Sequence, residues 1–408
     1  MNIKFHSSRF LLILAFVVPL CNAHAQQTEA QLRAKAVELA QKFIIVDTHV
    51  DIPYRLSATW EDISQRTEKG DFDYVRAKSG GLNAPFMSIY VPSSREVNFK
   101  SQGAKSLADS LIDMVEGFQQ KWPDKYAVAT SPADVRTQFA RGLISLPMGM
   151  ENGSPVEGKL ENLRHFYNRG IRYITLTHGK DNHICDSSYD TTRTWKGLSS
   201  FGKQAVAEMN RLGIMVDISH VSDDVFYQVM ELTKAPAIAS HSSCRAYTPG
   251  WMRNMSDDMV KALAKNGGVI MIAWGSSFLN EDYRQWGDKV GKHLAANNVG
   301  FDNPKAAEMV KQFETSNPKP RVTVAEVAKH IDHVVKLAGI DHVGFGSDFD
   351  GVGDTLPEGI KDVSMYPNIL YELLKLGYSE QDIEKICNGN ILRVWSKVEQ
   401  TAKDLQSK

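Results

Sequence analysis

The chain has 408 residues, 42% hydrophobic and 23% charged, which is the balance of an ordinary soluble globular protein with ample material for a core. Lys and Arg number 47 against 48 Asp and Glu, so the formal net charge is -1. No basic block appears, which argues against nucleic acid as a partner.

Residues 1–25 read as a removable signal peptide. Lys4 and Arg9 supply a positive start, Phe10–Leu20 is a short apolar run, and Ala23-His24-Ala25 is a small-residue cleavage pattern that leaves Gln26 first. The run is too short to span a bilayer. Leu20 is bulky for the position before a lipid-modified Cys21. The expectation is a periplasmic or secreted protein with no transmembrane segment after the leader is removed. Residues 26–408 are expected to form one catalytic domain. Beyond the leader stand Cys185, Cys244 and Cys387, too few for a disulfide framework, though one bridge is left open.

Elements then follow in alternation. Glu29–Lys42 has helical spacing. Phe43–Asp51 (FIIVDTHVD) is an apolar run ending in His49 and Asp51, a buried strand whose alternate residues share a face. Leu82–Val91 reads as a second strand and Lys105–Gln120 as an amphipathic helix. Leu143–Met150 is a third strand closed by Glu151, before a helix over Glu161–Arg169. Ile171–Thr177 is a fourth strand closed by His178, followed by a helix over Phe201–Leu212 that Gly213 ends. Ile214–Ser219 is a fifth, closed by His220. Ser222 then caps a helix with Asp223 and Asp224 in its first turn. Pro236–Ser240 is a sixth strand, closed by His241. Ser256 caps the next helix, and Gly268–Trp274 is the seventh strand. Residues 276–320 are polar and irregular, an insertion suited to a lid or a subunit contact. Val322–Ala338 is a long helix, His342–Ser347 the eighth strand, closed by Asp348. Tyr366–Leu376 and Ser379–Val398 are the last helices.

Strands alternating with helices predict a parallel sheet, and eight of them predict an α/β fold closed as a (β/α)8 TIM-like barrel. An open doubly wound sheet is the alternative. Its nucleotide-binding form needs a Gly-rich turn after the first strand, where this chain has Val50-Asp51-Ile52-Pro53. In a barrel, chemistry sits at the C-terminal ends of the strands. His49, Asp51, Glu151, His178, His220, His241 and Asp348 all fall there. Any one of them has an ordinary explanation as a core histidine or loop carboxylate. Together they call for a divalent cation. Imidazole and carboxylate donors suit zinc. With Glu151 as a bridging carboxylate, two zinc ions per chain are natural, about 3.5–4 Å apart. Such a centre activates water to hydrolyse an amide, ester or phosphoester. Asp348 would move the proton, and His178 would hydrogen-bond the developing oxyanion. Asp47 would hold a backbone amide or an imidazole rather than metal.

Six separated motifs, VDTHVD, GMENG, LTHGKDN, DISHVS, ASHSSCRAYTPGWMRN and HVGFGSDFDG, resemble in order and spacing the renal (membrane) dipeptidase family of zinc peptidases, within the amidohydrolase barrel superfamily. NILRVW at Asn390–Trp395 fits as well. The resemblance implies that His49 and Asp51 hold one zinc, that His220 and His241 hold the second, and that Glu151 bridges them. It implies a substrate-binding His178, an Arg253 that holds the substrate carboxylate, and a catalytic Asp348, with Asp350 a neighbour of lower rank. The family cleaves dipeptides, often accepting a D-residue at the C-terminal position. Some members open β-lactams or cleave cysteinyl-glycine conjugates. The polar ending KVEQTAKDLQSK lacks the hydrophobic lipid-anchor signal of mammalian members. Segment 276–320 aligns poorly, so its pocket residues cannot be carried over. The function expected is an exported dipeptidase acting on L,L and L,D dipeptides. Two other readings stand beside it: a related binuclear hydrolase of another small amide, lactam or N-acyl amino acid, and a non-catalytic binding protein that keeps the barrel. A homodimer is left open.

Overall fold

The computed structural model describes residues 1–3, 28–301 and 303–408. Except for its first three residues and its neighbour Thr28, the leader region lies outside the described residues. Eight parallel strands close into a barrel, which excludes the open sheet. They are β1 (Ile45–Val50), β2 (Leu82–Tyr90), β3 (Met148–Glu151), β4 (Ile171–Thr175), β5 (Met215–Asp217), β6 (Ile238–Ser242), β7 (Val269–Ile272) and β8 (Val343–Phe345). Each pairs with the next, and β8 returns to β1 through Phe345 opposite Asp47.

The helices start where the sequence places caps. Thr28 and Gln31 form a capping box for Glu29–Lys42. The hydroxyls of Ser222 and Ser256 accept the Val225 and Met259 amides. Gly213 ends Ser200–Leu212 at φ 89°, a left-handed conformation that favours glycine.

Three expectations need correction. The third apolar run is two strands, because Pro147 has no amide to continue a ladder. Ile144–Leu146 pairs outside the barrel with Tyr126–Val128, and only Met148–Glu151 is a barrel stave. Segment 276–320 is largely helical, with helices Ser276–Leu279, Glu281–Ala296 and Ala306–Glu314. Trp286, Val290 and Leu294 recur every fourth residue and pack with Phe313 in a small cluster of their own, a stripe hidden by the polar composition. The last helical run is interrupted by a π turn at Lys385–Gly389. There Asn388 and Asn390 spend their amides on the carbonyls of Ile44 and Val343, tying the run to the barrel floor.

The core has two layers. One lies between the barrel and its surrounding helices. The other fills the barrel's lower interior, where Val46, Phe86, Met215 and Ile238 meet Trp395 of the final helix, Asn390–Gln406. Phe86 and Trp395 have ring centroids 5.4 Å apart. Cys185, Cys244 and Cys387 are buried free thiols, so the bridge left open by the sequence is not formed.

Candidate active site

The floor is sealed by apolar side chains, so the open end of the barrel is the C-terminal one. All seven expected strand-end residues converge there. Three overlapping groups have ligand atoms within 4.8 Å of one another: His49, Glu151 and His241; Glu151, His178 and His220; and His49, Asp51 and Asp348.

Glu151 ends β3 and is central. Its Oε2 lies 3.3 Å from His49 Nε2, while its Oε1 lies 3.1 Å from His220 Nε2 and 3.4 Å from His241 Nε2. One carboxylate thus faces two groups of imidazoles. His178 Nε2 stands 3.6 Å from the same Oε1. His49 and Asp51 do meet, at 3.5 Å, but strand alternation is not the reason. The register of β1 shifts between Asp47 and Val50, and Asp51 lies beyond the strand as the N-cap of Ile52–Ala58. His220 and Asp348 follow their strands in left-handed backbone, at φ 68° and 66°. That conformation costs a non-glycine residue energy and recurs where function fixes geometry.

Two buried aspartates brace these ends. Asp47 accepts the amides of His49 at 3.1 Å and Ser347 at 2.9 Å, and the Tyr366 hydroxyl as well. Asp217 does the same one side over, accepting the Ser219 and Ser240 amides and the Thr175 and Ser240 hydroxyls. The Ser240 hydroxyl in turn meets His241 Nδ1 at 2.8 Å. Asp47 therefore holds backbone, as expected. Asp217 and Ser240 were missed, although DISH repeats the DTH theme of an aspartate just ahead of a strand-end histidine.

The electrostatics favour a cation. Burial works to raise Glu151, but His49 and His178, with bonds from His220 and His241, hold it well below the usual carboxylate range. Burial, then Arg253, then neighbouring imidazoles keep His220 well below its usual value. His241 is lowered likewise by burial, His49 and Arg253. Burial pushes Asp348 up to about 8, with Asp51 and Glu151 adding to the push against His49. His49 Nε2 and Asp51 Oδ1 are buried without a hydrogen-bond partner. Buried polar atoms are nearly always satisfied, so these two aim at something that supplies a positive charge. The nitrogen and oxygen donors present fit a divalent metal.

Arg253 is buried rather than on the surface. Arg253 Nη1 donates to Ser242 Oγ, and Nη2 donates to the His241 carbonyl and meets His220 Nε2 at 3.0 Å. Its Nε has no partner. Asp350 is committed elsewhere, to Arg55 and to the Asp71 amide.

The convergence opens into a cavity of about 730 Å³. Asp51, Glu151, His178, His220 and Asp348 line it, together with the aromatic Tyr54, Tyr90, Tyr189 and Phe278. None of these aromatics was found from the sequence. Phe278 comes from the segment that could not be aligned.

A closed parallel barrel with a metal-ligating cluster at its C-terminal mouth defines a metal-dependent hydrolase of the TIM-like type. The sequence profile of the membrane dipeptidase family, peptidase family M19, matches residues 33–408, and the chain belongs to that family. It is a metal-binding peptide-bond hydrolase that acts on dipeptides. It is similar to the crystal structure of the probable dipeptidase PvdM from Pseudomonas aeruginosa, with 28% identity and a TM-score of 0.80 over 91% of this chain and 100% of that one. It is also similar to a metallopeptidase from Rhodobacter sphaeroides liganded with a phosphinate mimic of the dipeptide L-Ala-D-Ala, with 26% identity and a TM-score of 0.73 over 87% and 99% of the two chains. Among the described residues, no helix is long and apolar enough to cross a membrane.

Proposed function

We propose that this chain is an exported dipeptidase, periplasmic or secreted, that holds two zinc ions and cleaves both L,L dipeptides and dipeptides ending in a D-residue. The observation that carries the reading is Glu151, whose two oxygens face His49 on one side and His220 and His241 on the other. His49 and Asp51 would hold one zinc, His220 and His241 the other, with Glu151 between. When bound, the pair supplies Lewis acidity and an acidified water. Export rests on the leader pattern in residues 1–25. Acceptance of a D-residue is supported by the Rhodobacter relative's dipeptide mimic.

The protein's own groups do the rest. Asp348, which lies within ligand distance of His49 and Asp51, takes a proton from the attacking water and returns it to the leaving amine as the C–N bond breaks. His178, kept neutral by burial, has an N–H to offer the developing oxyanion. Arg253 binds the substrate's C-terminal carboxylate. His220 Nε2 cannot serve a metal and Arg253 at once, so with His220 as a ligand Nη2 joins the free Nε as a two-pronged donor.

The test is amino-acid release from a mixed panel of L,L and L,D dipeptides, with metal analysis of the same sample. Turnover of both sets by protein carrying two zinc ions is expected. Hydrolysis of N-acyl amino acids or lactams, with no dipeptide cleaved, would replace this reading with the broader hydrolase.

A further inference from the structure

Tyr173 lies on β4, fully buried, and its hydroxyl has two partners. It stands 2.9 Å from the Thr48 carbonyl oxygen and 2.9 Å from His49 Nδ1. A carbonyl only accepts, and a hydroxyl has one hydrogen to give. That hydrogen goes to Thr48. His49 Nδ1 must therefore be the donor of the second bond. The nitrogen that makes the outer hydrogen bond decides the tautomer of an imidazole. The lone pair of neutral His49 is thus on Nε2, the buried atom that faces Glu151 and Asp51 with no partner of its own.

The neighbouring stave is shaped for this ring. Gly149 of β3 pairs in register with Tyr173. A Cβ at position 149 would lie 1.9 Å from the Tyr173 Cζ, so any side chain there would drive the ring away. Phe86 also packs on it, at 5.5 Å between ring centroids. A phenylalanine would fill the same volume. Only the oxygen distinguishes the residue present, and both of its bonds are to β1.

We propose that Tyr173 is a positioning residue that fixes His49 as the Nδ1–H tautomer with Nε2 turned to the metal, and that Gly149 admits its ring. This rests on His49 being a zinc ligand, as in the proposed function. Without the hydroxyl, the Nδ1–H loses its buried acceptor, and the ring gains by turning or by moving its proton to Nε2. Either change removes the ligating lone pair.

The experiment uses the full chain and zinc alone as the probe. Competition against a chelator should show Tyr173→Phe weakening zinc at one of the two sites by roughly 10–100-fold, the usual effect of losing a ligand's hydrogen-bond partner. The ring nitrogen shifts of His49 in zinc-saturated protein should show Nδ1–H with Nε2 bound in the parent and loss of that signature in the variant. A mere packing defect would not move that signal. Gly149→Ala should weaken the same site with the hydroxyl still present; unchanged affinity there would remove Gly149 from the account. His49→Ala is the control. If it leaves both zinc ions bound, the ligand assignment in the proposed function is wrong. If it loses zinc while Tyr173→Phe binds both ions within twofold of the parent and keeps Nδ1–H, Tyr173 does not position His49.

Discussion

His220 Nε2 and His241 Nε2 stand 2.7 Å apart, and both face the same Glu151 oxygen. Burial first, and nearby cationic groups after it, keep both imidazoles well below their usual protonation range. Two lone pairs at that separation repel unless a cation takes them. His220→Ala should therefore lower the metal content and nearly abolish dipeptide hydrolysis. Elemental analysis and a rate assay on the same sample check this; full metal and full rate would remove His220 from the ligand set.

Asp348 shares a ligand-distance group with His49 and Asp51, so it is close enough to touch a metal as well as to move a proton. The two roles separate in Asp348→Asn. A proton-transfer residue should leave metal content intact while the rate drops by roughly 10²–10⁴. Loss of metal together with activity would make Asp348 a ligand instead.

The same residue sets a pH dependence in the metal-free protein. Burial holds folded Asp348 at about 8, whereas an aspartate in an unfolded chain titrates near about 3.9. Between those values the folded state keeps a proton that the unfolded state gives up. Stability from this group is thus full below the unfolded pKa and is lost as pH rises through the folded one. Asp71, raised to about 7 by burial and by Asp350, adds a slope of the same sign. Thermal unfolding of zinc-free protein at about pH 5 and about pH 8.5 should show the higher-pH sample less stable, with Asp348→Asn reducing the difference. An identical pH dependence in parent and variant would count against the raised Asp348.

Restriction to dipeptides should trace to Arg253. A free carboxylate one residue beyond the scissile bond can meet a guanidinium fixed beside the site. The uncharged amide of a longer peptide leaves that buried charge short of a partner, at a cost of roughly 2–5 kcal/mol. A dipeptide and its C-terminal amide should differ greatly in kcat/KM, and Arg253→Ala should shrink the difference. Equal turnover of acid and amide by the parent enzyme would overturn this.

The polar cluster was legible because barrels put it where apolar runs stop. Val50-Asp51 and Ser219-His220 are breaks that any reader of hydropathy meets. The aromatic lining of the cavity was not legible. Tyr54, Tyr90, Tyr189 and Phe278 look like core aromatics in sequence, and only the fold brings their separate segments to one cavity. Pro147, with no amide to give a ladder, stands at the split in the third run. Tyr173 was not legible either. Its ring and hydroxyl matter through Thr48 and His49, more than a hundred residues earlier in the chain.

Trp395 closes the barrel floor from a helix that is translated after all eight strands. The ribosome therefore releases eight strands before the side chain that covers their lower rim. Until then Val46, Phe86, Met215 and Ile238 line an open apolar well, the kind of surface that aggregates or recruits chaperones during synthesis. A premature stop anywhere between the eighth strand and Trp395 would spare every residue of the catalytic mouth and still leave a chain that cannot close its floor.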